Sequence, residues 1–109
     1  MDRRASWLKG VLDLLVLATL TRGESYGYEI AKRLESGFGT IRGGTLYPVL
    51  NRLEEAGLVV AEYRAADKGP GRRYYVLTDD GRAFLAEQGA AWREFDASVR
   101  STLADGENR

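Results

Sequence analysis

The sequence predicts a mainly α chain with one small β-hairpin, and three observations carry that expectation. Apolar residues recur at helical spacing in three successive N-terminal segments and again in one long C-terminal segment. Between these lie two short runs rich in Val and Tyr, separated by a glycine-containing stretch that suits a turn. The 109 residues are 44% hydrophobic, enough for one core and too few for a second domain of ordinary size.

The first helix is expected from Ser6 to Leu20. Leu8, Val11, Leu12, Leu15 and Ala18 mark one stripe, and Trp7, Leu14 and Leu17 widen it. So wide a face calls for burial on two sides, one against the chain's own core and one against a partner. Gly23 suits the stop. Ser25 is a suitable cap for a second helix running to about Ser36, with Tyr26, Ile30 and Leu34 repeating every four residues. Gly37 and Gly39 break it. A third helix follows from about Gly44 to Ala56, with Leu46, Val49, Leu50 and Leu53 inward, Pro48 expected in the first turn and Gly57 just past the end. Leu58–Arg64 and Arg72–Leu77 are the two strands, joined by a flexible tip at 65–71. Thr78 caps the last helix, with Asp79 and Asp80 placed favourably near its positive end. It is expected to run to about Leu103. The division is then a winged-helix domain over 1–77, a dimerisation helix over 78–104 and a disordered tail over 105–109. Helix, helix, helix, strand, turn, strand, helix is the order of a winged helix-turn-helix.

Composition narrows the chemistry. There is no Cys and no His, which removes thiol nucleophiles, thiolate or imidazole metal ligands and the usual base near neutral pH. Glu54-Glu55 and Asp79-Asp80 are adjacent pairs, so on a helix their carboxylates diverge and make neither an acid–base couple nor a metal cage. The expectation is no catalytic residue, no metal and no cofactor. The most apolar stretch, Val11 to Leu20, is broken by Asp13 and is shorter than the ~20 residues a bilayer span needs. It also lacks a small-x-small cleavage site, so the expected location is the cytoplasm, without membrane contact.

Sixteen basic and sixteen acidic residues cancel overall, but they are distributed unevenly. Arg64, Lys68, Arg72 and Arg73 face Asp67 alone around the hairpin, whereas seven acids outnumber four arginines after Thr78. Screening confines fields to ~10 Å at moderate salt, so a local basic patch on a neutral chain can still bind a polyanion. On the third helix, turning the leucines inward leaves Thr45, Tyr47, Pro48, Asn51 and Arg52 outward or near the N-terminal end, and Gly44 permits close backbone approach. These side chains suit base edges and phosphates. Arg72 and Arg73 are neighbours on a strand and so point to opposite faces. The candidate DNA-binding set is Gly44, Thr45, Tyr47, Pro48, Asn51, Arg52, Lys68, Arg72 and Arg73.

The last helix carries Leu85, Gln88, Trp92, Phe95, Val99 and Thr102 at alternating spacings of three and four, a heptad seam. A two-fold homodimer is the economical way to cover it, and it would offer two recognition helices to successive major grooves. The candidate interface is Trp7, Leu8, Leu85, Gln88, Trp92, Phe95 and Val99. A pocket between subunits for a small planar apolar ligand is the second use of the same aromatics, with Trp92, Phe95, Leu12 and Leu15 as the candidate lining. Gly89 inside this helix costs ~1 kcal/mol relative to Ala and invites either loosening or close backbone approach.

Several motifs together resemble one family. Leu8-Lys9-Gly10 with Leu12-Asp13-Leu14-Leu15-Val16-Leu17, and Tyr26-Gly27-Tyr28-Glu29-Ile30, are similar to the opening of PadR-type bacterial transcriptional regulators. So are Gly44-Thr45-Leu46-Tyr47-Pro48 followed by Leu50, Arg52-Leu53-Glu54 and Gly57-Leu58, and then Arg72-Arg73-Tyr74-Tyr75, Leu77-Thr78 and Gly81. The length resembles the short second subfamily, with its single C-terminal helix. The resemblance implies a homodimeric repressor of palindromic double-stranded operators, often beside its own gene. Carried over by position, it implies DNA contacts from Thr45, Tyr47, Pro48 and Arg52 on the helix and from Lys68, Arg72 and Arg73 on the wing. The first and last helices would form the dimer. Trp92 falls where a drug-responsive member stacks planar aromatics. The competing expectation is a winged helix that binds protein instead of DNA, for which net neutrality and the acidic last helix speak.

Overall fold

Leucine stripes on three helices pack against Val59, Tyr75 and Leu77 of a small sheet in the computed structural model, which describes residues 1–108. The elements are α1 (Arg4–Thr19), a 3-10 turn (Leu20–Arg22), β1 (Ser25–Tyr26), α2 (Gly27–Phe38), α3 (Gly43–Glu55), β2 (Val59–Arg64), β3 (Arg72–Leu77) and α4 (Asp79–Glu107). Leu12, Val16 and Leu17 of α1, Ile30 and Leu34 of α2, and Leu46, Val49, Leu50 and Leu53 of α3 form the buried core. Val59, Tyr75 and Leu77 complete it from the sheet. The architecture is the expected helical one with a winged β element. No helix among the described residues is long and apolar enough to cross a membrane.

The sheet has three strands in the order β1-β3-β2, all antiparallel. The hairpin register pairs Val59 with Leu77 and Arg64 with Arg72. The short strand β1 pairs Ser25 with Tyr75 and Tyr26 with Tyr74 along the other edge of β3. This changes the role expected of Ser25. Recruited into a strand, it does not cap α2, whose N-cap position is Tyr26 without a side-chain bond. The buried Ser25 hydroxyl donates instead to Glu29 Oε1 at 3.0 Å.

The base of the hairpin is fastened to α4. Thr78 Oγ1 accepts from the Gly81 N–H at 2.9 Å, the expected cap, and also donates to the Gly57 carbonyl at 2.7 Å. The Thr78 N–H bonds the Leu58 carbonyl at 3.1 Å. Gly81 lies so close beneath that turn that a Cβ there would stand 2.1 Å from the Leu58 carbonyl oxygen. Only glycine fits without moving backbone.

α4 is the largest departure from a rounded shape. Its first turns pack Phe84 and Leu85 against the core, and the rest projects outward. The extents are 62 × 31 × 21 Å and the Cα radius of gyration is 16.3 Å, against about 13 Å for a compact domain of this length. The helix continues to Glu107, past the expected end near Leu103, and the Asn108 N–H still bonds the Ala104 carbonyl at 3.2 Å. The expected tail over 105–109 is therefore helical through Glu107, because no proline interrupts the hydrogen-bond ladder; Arg109 lies outside the described residues. Gly89 sits in unbroken helix, and only the Arg93 guanidinium, at 3.8 Å, comes near the place of its missing Cβ.

Candidate nucleic-acid interface

The core stripe of α3 fixes what its opposite face presents. Gly44, Thr45, Tyr47, Pro48, Asn51 and Arg52 are all exposed. α3 ends in a paired turn, with Leu58 N–H to Leu53 carbonyl and Gly57 N–H to Glu54 carbonyl, both 3.0 Å, which sets where β2 leaves. Pro48 is the sixth residue of α3 and so lies in its second turn rather than the expected first; starting the helix at Gly43 instead of Gly44 accounts for only one residue of that difference. At that position proline removes the N–H that would bond the Gly44 carbonyl.

Two grooves flank α3 and divide the candidate residues between them. On the wing side, Tyr47, Arg72 and Arg73 line a groove of about 410 Å³ together with Tyr26, Gly27 and Tyr28. Tyr47 is 47% exposed and lies across the start of α2. A Cβ at Gly27 would stand 2.5 Å from its hydroxyl, so glycine there makes room for the ring. On the other side, Gly44, Thr45, Pro48 and Arg52 border a groove of about 540 Å³ between α3 and α1. Lys9 and Arg42 join them there. Asn51 and the hairpin-tip Lys68 line neither groove.

The hairpin arginines are held in place. Arg72 and Arg73 are neighbours on β3 that both line the wing-side groove but engage different partners. The Arg72 guanidinium lies 4.5 Å from the Tyr26 ring centroid. Arg73 donates from Nη2 to both carboxylate oxygens of Glu54 at 2.9 Å, tying β3 to the end of α3. Arg64 sits 4.7 Å from the Tyr74 ring and makes a two-pronged ion pair with Glu24. That bond from Arg64 holds the Glu24 carboxyl below its ordinary range, against a smaller opposing effect of desolvation. Burial pushes the Tyr75 phenol up, with Arg73 pulling it back. Tyr74 and Tyr75 are sheet residues, as their positions suggested. Tyr26, Tyr28, Lys9 and Arg42 escaped the sequence reading as site residues. Arg42, directly before the glycines that open α3, carried a legible signal; the others reach the site only through the packing of α1 and α2.

The aromatic seam behaves differently from the candidate lining. Trp92 lines a groove of about 280 Å³ between α1 and α4, with Phe84, Gln88, Asp13 and Leu14. Leu12 and Leu15 do not join it. Leu12 is buried in the chain's own core, and Leu15 faces a separate groove beside Arg33 and Leu34. Both lie on parts of α1 that pack toward α2 and α3 rather than α4. Leu8 similarly borders the α1–α3 groove, and Leu85 packs on the core. Trp7, Phe95 and Leu103 remain 65%, 64% and 61% exposed, with Trp92 and Val99 also at the surface.

Comparison with known proteins places this arrangement in company. A sequence profile described as the Transcriptional regulator PadR-like family matches residues 16–87. A transcriptional regulator of Mycobacterium tuberculosis, Rv3488, is 36% identical, over 84% of this chain and 84% of its own. A padr family transcriptional regulator from Eggerthella lenta is 35% identical with a TM-score of 0.81, covering 91% of this chain and 87% of that one. A PadR-like transcriptional regulator from Bacillus cereus is 34% identical with a TM-score of 0.79, covering 90% and 96%.

Proposed function

The chain belongs to the PadR-like family of transcriptional regulators, DNA-binding proteins rather than enzymes, and from that premise we propose that it is a homodimeric repressor of a palindromic operator, released by a small planar apolar effector. The observation that carries the DNA reading is the outer face of α3. Thr45, Asn51 and Arg52 are exposed there, beside a hairpin whose arginines are already oriented. On this reading α3 enters the major groove, and Lys68, Arg72 and the wing follow the flanking backbone. The wing-bearing domain spans 1–77, and α4 is the dimerisation element.

The dimer reading is supported by the projecting half of α4. Trp92, Phe95, Val99 and Leu103 form an apolar stripe that stays exposed among the described residues, and Trp7 adds a further exposed aromatic from α1. The effector reading is supported by Trp92 and Phe84 in the α1–α4 groove, whose flat rings suit a planar apolar molecule. A ligand there relieves repression only by binding one spacing of the two α3 helices better than another.

Titration of the purified chain against labelled duplex from upstream of its own gene, at two salt concentrations and with a scrambled duplex, tests the first reading. Tight, salt-steep binding to the native duplex alone is the expected result. Equal, weak binding to both duplexes would sink autoregulation. Salt-insensitive failure on every duplex, together with a stable complex with another protein, would replace DNA binding by protein recognition. Sedimentation equilibrium tests the dimer, which Phe95→Asp should dissociate.

A further inference from the structure

The groove between α1 and α3 has a chemistry that the operator does not explain. Its volume is about 540 Å³, within the range of small-ligand sites. Its walls are aliphatic: Leu8, Leu12, Ile41 and Val49. A phosphodiester backbone has no use for such walls. No aromatic ring lines them, in contrast to the groove that holds Trp92, so nothing here favours a stacked planar molecule. Its polar border is cationic, formed by Lys9, Arg42 and Arg52 with the Thr40 and Thr45 hydroxyls, and no acid lines it. None of the three cations is in an ion pair among the described residues, whereas Arg73 and Arg64 each hold a carboxylate.

We propose that this groove binds a medium-chain aliphatic carboxylate, its chain along Leu8, Leu12 and Val49 and its carboxylate among Lys9, Arg42 and Arg52. Thr45 and Arg52 belong equally to the outer face of α3. A bound acid therefore takes from the operator two of the groups assigned to it, and ligand and DNA exclude one another directly. This second part rests on the DNA-binding reading; the binding site itself does not. The site lies within one chain, so it needs no dimer.

Calorimetry of the full chain without DNA, using butanoate, hexanoate and octanoate, decides the site. Affinity is expected to rise about fourfold per methylene, and octanol, lacking the charge, is expected to bind far more weakly. Lys9→Gln and Arg42→Gln change exposed side chains and should each weaken octanoate roughly tenfold. Arg93→Gln, a cation on α4 away from this groove, should leave it unchanged. Methyl NMR should show octanoate shifting Leu8, Ile41 and Val49. Absence of saturable octanoate binding, affinity independent of chain length, or shifts centred on the Trp92 indole would each overturn the site. Loss of duplex binding in Arg42→Gln with octanoate affinity intact would assign the cation to DNA instead. Octanoate bound at these methyls with no loss of duplex affinity would overturn the exclusion. A chain that binds no duplex at all would overturn the exclusion, while calorimetry still decides the site.

Discussion

On the wing side of α3 the arginines are occupied before any ligand arrives: Arg72 by a tyrosine ring, Arg73 by Glu54, Arg64 by Glu24. On the α1 side, Lys9, Arg42 and Arg52 border an open groove and have no carboxylate partner among the described residues. The difference separates shape from charge. The wing flank uses much of its charge to hold a fixed outline, and such exposed ion pairs add little to stability. The α1 flank keeps its charge available. Affinity that depends on salt should therefore come mainly from the α1 flank, and orientation from the wing.

The greatest expected disruption is Gly81→Ala. Its Cβ would meet the Leu58 carbonyl, which anchors the base of the hairpin, so both flanks lose their common seat. A loss of about 3 kcal/mol in urea denaturation is expected, at the upper end for an overpacked site. Next is Arg52→Gln, expected to cost about 2 kcal/mol of duplex affinity in a low-salt titration with the fold unchanged. Arg42→Gln should flatten the logarithmic salt dependence of duplex binding by about one unit, while Arg73→Gln flattens it by clearly less, because Glu54 already neutralises that charge. Equal slopes in the two variants would erase the distinction between flanks. Glu54→Gln should then give Arg73 the behaviour of Arg42, steepening the salt slope. The smallest effect concerns Glu24. Its folded-state carboxyl titrates below the ordinary range, so the pair with Arg64 stabilises at neutral pH and loses that contribution as the carboxyl is protonated. The Tm difference between the parent chain and Glu24→Gln should be present at neutral pH and vanish as the pH falls below the ordinary carboxylate range.

The helices and the hairpin were legible because each repeats an apolar period long enough to read. β1 was not, since Ser25 and Tyr26 are two residues and only β3 makes them a strand. The end of α4 was hidden by composition, as Ala104, Asp105 and Gly106 resemble a fraying tail while the backbone bonds continue. The outward residues of α3 followed directly from the inward leucines. The fate of Arg73 did not, because Glu54 lies nineteen positions away on another element. Within one chain, Leu12 and Leu15 line grooves other than that of Trp92, for a related reason. A broad stripe on α1 marks apolar positions without saying which neighbour takes each one.

α4 is also a lever. About 22 Å of unbroken helix separates Trp92, the α4 residue farthest along the helix in the groove shared with α1, from Glu107. A tilt of about 10° at the packed end sweeps the far end by about 4 Å, by the same rise per residue. Run in reverse, displacement at the tip becomes a small, forceful rotation at α1. Motion at either end of the molecule is thereby geared to the other, and the gear ratio is set by the length of one helix.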